Sequence, residues 1–119
     1  MKVPESLALI IADAADITAR EIGFNRKFEI YWMTKKDKTR IDRFLFGSHV
    51  KQECIGLNLR MLGMDGIILD PKYLLDPNTS FEDIIDLVAH EVLHFKIVGH
   101  GKKFKRTLKG IMKKLLKKK

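Results

Sequence analysis

A pattern of polar residues inside an apolar helical segment constrains this chain more than any other feature. Residues 89–104 read AHEVLHFKIVGHGKKF, in which His90, Glu91 and His94 form an H-E-x-x-H pattern and His100 follows. Residues four apart on an α-helix lie roughly 40° apart around its axis and one turn along it. The imidazoles of His90 and His94 can therefore converge on a single metal ion, and the segment is predicted to be a helix.

The residues after His94 narrow the choice of a third ligand. A catalytic zinc ion needs three protein ligands and one open position. The chain has no Asp, Glu or Cys beyond His94, which leaves His100, and Gly99 before it can turn the chain back. The sequence therefore predicts that His90, His94 and His100 hold one Zn²⁺ per chain, with water as the fourth ligand. Glu91 is predicted to be the catalytic general base that acts on this water.

The other candidate residues lack such a context. His49 is interpreted as a surface or hydrogen-bonded histidine, and Cys54 as a core residue rather than a nucleophile. Cys54 is the only cysteine, so no disulfide can form within the chain. A reducing, cytoplasmic location is therefore expected. The chain has two tyrosines, Tyr31 and Tyr73, and their sequence spacing from the histidines does not identify either as an oxyanion donor.

Length and composition predict one globular domain over residues 1–119. The hydrophobic fraction is 45% and the charged fraction 32%, which is typical of a folded chain of this size. The apolar run LALII at 7–11 is too short to span a bilayer or to serve as a secretory signal, so no membrane partner is expected. We interpret it as the buried face of a first helix.

Hydrophobic periodicity predicts an α+β fold with a twisted sheet of three or four strands. An N-terminal helix is expected over residues 5–22. Strands are expected at 27–33, 55–61 and 67–69, and FLF at 44–46 could begin another. The polar run 34–40 is interpreted as a turn, and 48–54 as a short helix.

Two helices complete this prediction. The first carries the H-E-x-x-H pattern from about residue 80 to about residue 97 and ends at Gly99. Its start matches a capping box with Thr79 as the first residue and Glu82 as the fourth. The second is a basic C-terminal helix that begins at about residue 102, followed by a lysine tail. Its apolar stripe comprises Phe104, Leu108, Ile111, Met112 and Leu115.

Charge is divided unevenly along the chain. Residues 95–119 contain 11 Lys or Arg and no acidic residue, whereas residues 1–94 contain the other 12 with all 15 acidic residues. A basic segment of this kind is typical of a surface that binds nucleic acid. A solvated lysine face is the alternative. Nucleic acid is thus a candidate partner through residues 102–119.

Residues 66–104, GIILDPKYLLDPNTSFEDIIDLVAHEVLHFKIVGHGKKF, resemble the SprT-like and YgjP-like (WLM-type) minimal zinc metallopeptidases. Asp70-Pro71 matches the polar-proline step after a strand in that family, and Phe104 matches the aromatic residue after the third histidine. The resemblance implies a small zincin-like domain that hydrolyses peptide bonds in a protein or peptide substrate. Some relatives act on DNA-bound proteins. A sheet edge at 55–61 or 67–69 would hold the substrate as an added strand.

Other zinc protein classes remain open at this stage. The histidine spacing equals that of metzincins, although Ile97 stands where their pattern has glycine and no clear Met-turn follows. Gluzincins are excluded because no acidic residue lies downstream. YbeY-like ribonucleases share the three-histidine spacing and Leu93, but they have a small residue in place of Glu91. A non-catalytic nucleic-acid-binding protein with structural zinc is the remaining alternative.

Overall fold

The computed structural model describes residues 2–46 and 54–117. Within these residues lie five α-helices, one short 3-10 helix and three β-strands. The elements are α1 (Glu5–Glu21), β1 (Glu29–Trp32), α2 (Lys35–Phe46), β2 (Gly56–Asn58), the 3-10 helix (Leu59–Leu62), β3 (Gly66–Leu69), α3 (Pro71–Leu74), α4 (Phe81–Leu93) and α5 (Lys102–Lys117). The predicted α+β class is confirmed. No helix in the described ranges is long and apolar enough to cross a membrane.

The three strands form a mixed sheet in the order β1-β3-β2. The central strand β3 pairs in parallel with β1, and Glu29 lies opposite Gly66. It pairs in antiparallel with β2, and Gly56 lies opposite Leu69. All four residues of β3 are buried. Among the described strands, β2 is therefore the edge of the sheet that contacts the H-E-x-x-H helix, and the predicted use of 67–69 as a substrate-binding edge is wrong.

Helices α1, α4 and α5 form the main hydrophobic core on one side of the sheet. Ile11 of α1, Val88 and Val92 of α4, and Ile67 of β3 are fully buried there. The predicted apolar stripe of α5 is confirmed, because all of its residues are buried or half-buried against this core. The stripe comprises Phe104, Leu108, Ile111, Met112 and Leu115. The helix that carries the metal-ligand pattern thus lies between two other helices and the sheet, which fixes its orientation.

The segment after β1 is a helix, and the prediction of a polar turn at 34–40 is wrong. Helix α2 starts with a reciprocal pair of bonds, in which Asp37 N–H donates to Thr34 Oγ1 and Thr34 N–H donates to the Asp37 carboxylate, each at 3.1 Å. This is a capping box with aspartate in the fourth position. The helix continues through 44–46, so the strand predicted at FLF is also wrong. The helix predicted at 48–54 lies outside the described residues except for Cys54.

The strand predicted at 55–61 is shorter in the structure, where β2 spans only Gly56–Asn58. It ends at Asn58, because the side chain of Asn58 accepts a hydrogen bond from Arg60 N–H at 2.8 Å and starts a 3-10 turn. Met61, which the pattern places on the buried side, is 59% exposed. A local side-chain bond to the backbone therefore overrides the alternation.

Helix α4 also differs from its prediction at both ends. Its capping box joins Ser80 and Asp83, one residue later than the predicted pair of Thr79 and Glu82. Its regular part ends at Leu93, with His94 as the C-cap, rather than near residue 97. The early end redirects the chain so that residues 94–100 can fold back over the last turn of the helix.

Candidate metal centre and its cleft

Three imidazole nitrogens meet where α4 ends and the chain turns toward α5. The Nε2 atom of His94 lies 3.3 Å from Nε2 of His90 and 3.0 Å from Nε2 of His100. The corresponding atoms of His90 and His100 are 3.1 Å apart. Nitrogen ligands of a tetrahedral zinc ion, each roughly 2.0–2.1 Å from the metal, are separated by roughly 3.3 Å. The structure therefore brings the three predicted histidines into a cluster that could hold a metal ion.

The turn after α4 sets the orientation of this cluster. Nδ1 of His94 lies 3.0 Å from the carbonyl oxygen of Ile97. Because a carbonyl only accepts, Nδ1 must carry the proton, and Nε2 presents its lone pair to the other two rings. Gly99 has φ of +83°, a left-handed conformation that is unstrained for glycine. The predicted turn at Gly99 is thus confirmed, and it returns His100 to the helix.

The buried ring of Phe104 packs against all three histidine rings. Its ring centroid lies 4.9 Å from that of His90, 4.6 Å from that of His94 and 5.2 Å from that of His100, and the residue is 2% exposed. Burial, together with the neighbouring His94 and His100, lowers the pKa of His90 to about 4. Burial also lowers the pKa of His94. These two rings are therefore neutral near pH 7, as metal binding requires.

Glu91 lies beside His90 on α4 and is 7% exposed. Burial raises the pKa of its carboxyl group to about 7, while a hydrogen bond from the backbone of Asn58 opposes the shift. A group that titrates near neutral pH can both accept and return a proton under physiological conditions. The surroundings of Glu91 therefore suit proton transfer better than the support of a permanent charge.

A cleft of about 610 Å³ opens beside the cluster. The three histidines and Glu91 line one wall, and residues 54–58 line the other. Met61 and Val98, which are 59% and 81% exposed, also line it. The cleft is thus bounded on one side by the edge strand β2 and carries exposed apolar side chains beside the histidines.

The remaining candidates take no direct part in the cluster. Cys54 is buried, as expected of a core residue, and its thiol donates to the carbonyl of Gly56 at 3.1 Å. Tyr73 packs against the main core from α3, and Tyr31 is exposed on β1. Neither tyrosine is among the described residues that line the cleft. His49 lies outside the described residues.

Two polar residues of the site were not predicted. Asn58, at the end of β2, is 7% exposed, and its Nδ2 donates to the backbone carbonyl of Glu91 at 2.7 Å. Arg60 donates from Nη1 to the carbonyl of Phe95 at 3.2 Å, just beyond the end of α4. The one sequence signal was an asparagine within the apolar alternation I-G-L-N-L, which is unusual for a buried strand.

Comparisons with known proteins identify no relative of this chain. Neither a family model, nor a curated protein, nor a solved structure matches the chain. A function for this chain must therefore be inferred from the histidine cluster, Glu91 and the cleft that they line.

Proposed function

We propose that this protein is a zinc-dependent metallopeptidase with a zincin-like domain. The observation that carries the proposal is the triangle of Nε2 atoms of His90, His94 and His100, with Glu91 in the same cleft wall. The arrangement agrees with the resemblance of residues 66–104 to SprT-like and YgjP-like peptidases. The described residues contain no other group of three or more His, Cys, Asp or Glu that could hold a metal ion.

The donor set suits zinc. His90, His94 and His100 would supply three neutral nitrogens, and the open side toward the cleft would leave room for one more ligand. The bond from His94 to Ile97 and the packing of Phe104 against the His94 ring orient this ring toward the other two histidines. When bound, zinc supplies Lewis acidity toward a water molecule and a substrate carbonyl.

Glu91 is the general base in this proposal. It accepts a proton from the attacking water as the new C–O bond forms, and later donates it to the nitrogen of the leaving amine as the C–N bond breaks. Burial raises the pKa of this carboxyl group in the metal-free protein to about 7. The low exposure of Glu91 limits competition from bulk water for this proton.

The substrate would lie along β2. One side of this strand bonds to β3, and the strand forms the far wall of the cleft. An extended peptide can add to such an edge through main-chain hydrogen bonds, with side-chain contacts from Met61 and Val98. Proteins associated with nucleic acid are candidate substrates, because α5 follows His100 directly and its exposed face is basic.

Hydrolysis of casein, of a protein crosslinked to DNA and of structured RNA tests the proposal. Zinc-loaded wild-type protein should cleave at least one of the two protein substrates, and Glu91→Gln should retain one zinc per chain while losing cleavage. The amide keeps the shape of the side chain but cannot accept the proton. Cleavage of RNA alone would favour a YbeY-like ribonuclease, and full peptidase activity in Glu91→Gln would remove Glu91 as the base.

A further inference from the structure

Strand β2 packs closely against side chains of α4 at Gly56, which has no Cβ atom. A Cβ atom added to Gly56 would lie 2.9 Å from Cδ1 of Leu87 and 3.3 Å from Cγ of Glu91. The first distance is shorter than real side chains tolerate, so the Leu87 side chain would have to shift. Gly56 therefore allows the backbone of the cleft wall to touch the side chain of Glu91.

Asn58 lies on the same face of β2 as Gly56, since residues two apart in a strand point the same way. Leu57 between them packs into the smaller cluster on the other face of the sheet. The amide of Asn58 is satisfied at both ends. Nδ2 donates to the Glu91 carbonyl at 2.7 Å, and Oδ1 accepts from Arg60 N–H at 2.8 Å.

The Glu91 carbonyl needs this donor because of where α4 ends. In a continuing helix, Phe95 N–H would bond to the carbonyl of Glu91. Here Phe95 N–H bonds instead to the carbonyl of Val92 at 3.0 Å. Glu91 therefore has one of the carbonyls that a helix end leaves without its helical donor, and the side chain of Asn58 takes the place of that donor.

We propose that Asn58 is a positioning residue that holds Glu91 in its orientation within the cleft. The inference rests on the proposed function, in which Glu91 is the general base. Asn58 bonds to the backbone carbonyl of Glu91 through its side-chain amide, while Gly56 on the same strand face lies beside the Glu91 side chain. Asn58 lies 33 residues before Glu91 in the chain, so the sheet must be assembled for this contact to form.

Activity measurements provide the first test. Asn58→Ala should lower kcat about 10- to 100-fold, as expected for the loss of a partner that orients a site residue, and should leave KM within about twofold. One zinc per chain should remain. Asn58→Asp is the second variant, because it keeps the acceptor for Arg60 N–H and replaces the donor to the Glu91 carbonyl with a carboxyl oxygen. Thr18→Val is the control: it removes a buried hydrogen bond, from Thr18 to the carbonyl of Ala14, on α1.

The second readout does not depend on activity. Three-bond couplings across χ1 of Glu91, measured by NMR on metal-free protein, should report one rotamer in wild type and in Thr18→Val. In Asn58→Ala and Asn58→Asp they should report an average of several. If the couplings are averaged in the Asn58 variants but wild-type protein hydrolyses no peptide bond, the positioning role is supported and the peptidase proposal is overturned. Unchanged couplings and unchanged kcat in both Asn58 variants would overturn the positioning role and leave the peptidase proposal standing.

Discussion

His100 is the candidate ligand that lies beyond the helix carrying the other two histidines. His90 and His94 converge because they are one turn apart on α4, whereas His100 depends on the turn through Gly99. The contacts of its Nε2 with the other two rings, at 3.1 and 3.0 Å, show that the turn closes the triangle. Affinity for zinc should therefore depend on this residue as much as on the H-E-x-x-H pattern.

We expect His100→Ala to lower zinc affinity by at least 10-fold, because two histidines and solvent make a poor site for the ion. His49→Ala, which removes the remaining histidine of the chain, is the matched control and should bind zinc as wild type does. Competition with a chromophoric chelator measures both. Equal affinity of His100→Ala and wild type would show that the third ligand is another residue.

The opposite pKa shifts of His90 and Glu91 predict a pH effect on the metal-free protein. The pKa of His90 falls from about 6.5 when unfolded to about 4 when folded, so the free energy of unfolding should rise with pH in that interval. The pKa of Glu91 rises from about 4.3 to about 7, so its contribution should fall as pH rises. The two effects partly cancel between pH 4.5 and 6.5.

Removal of the Glu91 carboxyl group should expose the contribution of the histidine. In urea denaturation with a chelator present, the free energy of unfolding of Glu91→Gln should rise more steeply from pH 4.5 to 6.5 than that of wild type. His94, whose pKa is also lowered by burial, acts in the same direction as His90. Parallel pH profiles for the two proteins would contradict the assigned shift of Glu91.

At the scale of elements, the start of α4 offers a direct comparison of two neighbouring residues. Ser80 accepts from Asp83 N–H at 3.0 Å, and the Asp83 carboxylate accepts from Ser80 N–H at 3.0 Å. Ser80→Ala should therefore lower the free energy of unfolding by about 1 kcal/mol. Thr79→Ala, at the position that the sequence pattern favoured, should change it by less than about 0.5 kcal/mol. Thermal or urea denaturation measures both variants. A larger loss of unfolding free energy in Thr79→Ala than in Ser80→Ala would indicate that Thr79 is the N-cap.

The elements that sequence predicts well are those with a strong apolar period. Helices α1 and α5 and strand β3 lie within a few residues of their predicted bounds, because each helix buries one apolar face and the strand is buried throughout. The sequence does not predict helix α2 because residues 34–40 contain no apolar residue, and the Thr34–Asp37 capping box is its only local signal. Strand β2 was predicted too long because its end depends on the side chain of Asn58.

The residues of the candidate site likewise fall into those that the sequence predicts and those that it does not. The three histidines and Glu91 could be predicted from sequence because their placement follows from helix geometry and one glycine turn within a short segment. Asn58 and Arg60 could not, because their partners are 33 and 35 residues away and the contacts exist only after the sheet packs on α4. Local spacing thus predicted the proposed ligands, and tertiary packing determined what surrounds the proposed base.

At the scale of the whole molecule, the folded chain neutralises part of its basic helix. Lys105 and Lys109 line a groove with Glu82, Asp83 and Asp86 of α4, and Lys114 Nζ lies 2.6 Å from the Glu21 carboxylate. On α5, Arg106, Lys113 and Lys117 point away from the buried stripe, and all three are exposed. These three define an outer basic face, which is the surface most available to a phosphate backbone.

Nucleic-acid binding through this outer basic face should be independent of base sequence and should weaken steeply with salt. Changing Arg106, Lys113 and Lys117 to Gln should weaken binding and reduce the slope of log K against log salt by about 3. The matched control changes Lys105, Lys109 and Lys114 to Gln, with the same loss of charge, and should have a smaller effect. Titration of labelled single- and double-stranded DNA and RNA at several salt concentrations measures this. Equal weakening by both variants would point to net charge alone, and no binding at low salt would exclude nucleic acid as a partner.

The early end of α4 has a consequence for the order in which the chain folds. All three histidines come from a short continuous segment, whereas the parallel pairing of Glu29 with Gly66 joins distant parts of the chain. Contacts between near neighbours form sooner than long-range pairings, because less loop entropy is lost. A nascent helix and a glycine turn would suffice to gather the histidines, while Glu91 would acquire its buried surroundings only after β2 docks. Metal capture would then precede catalytic competence during folding.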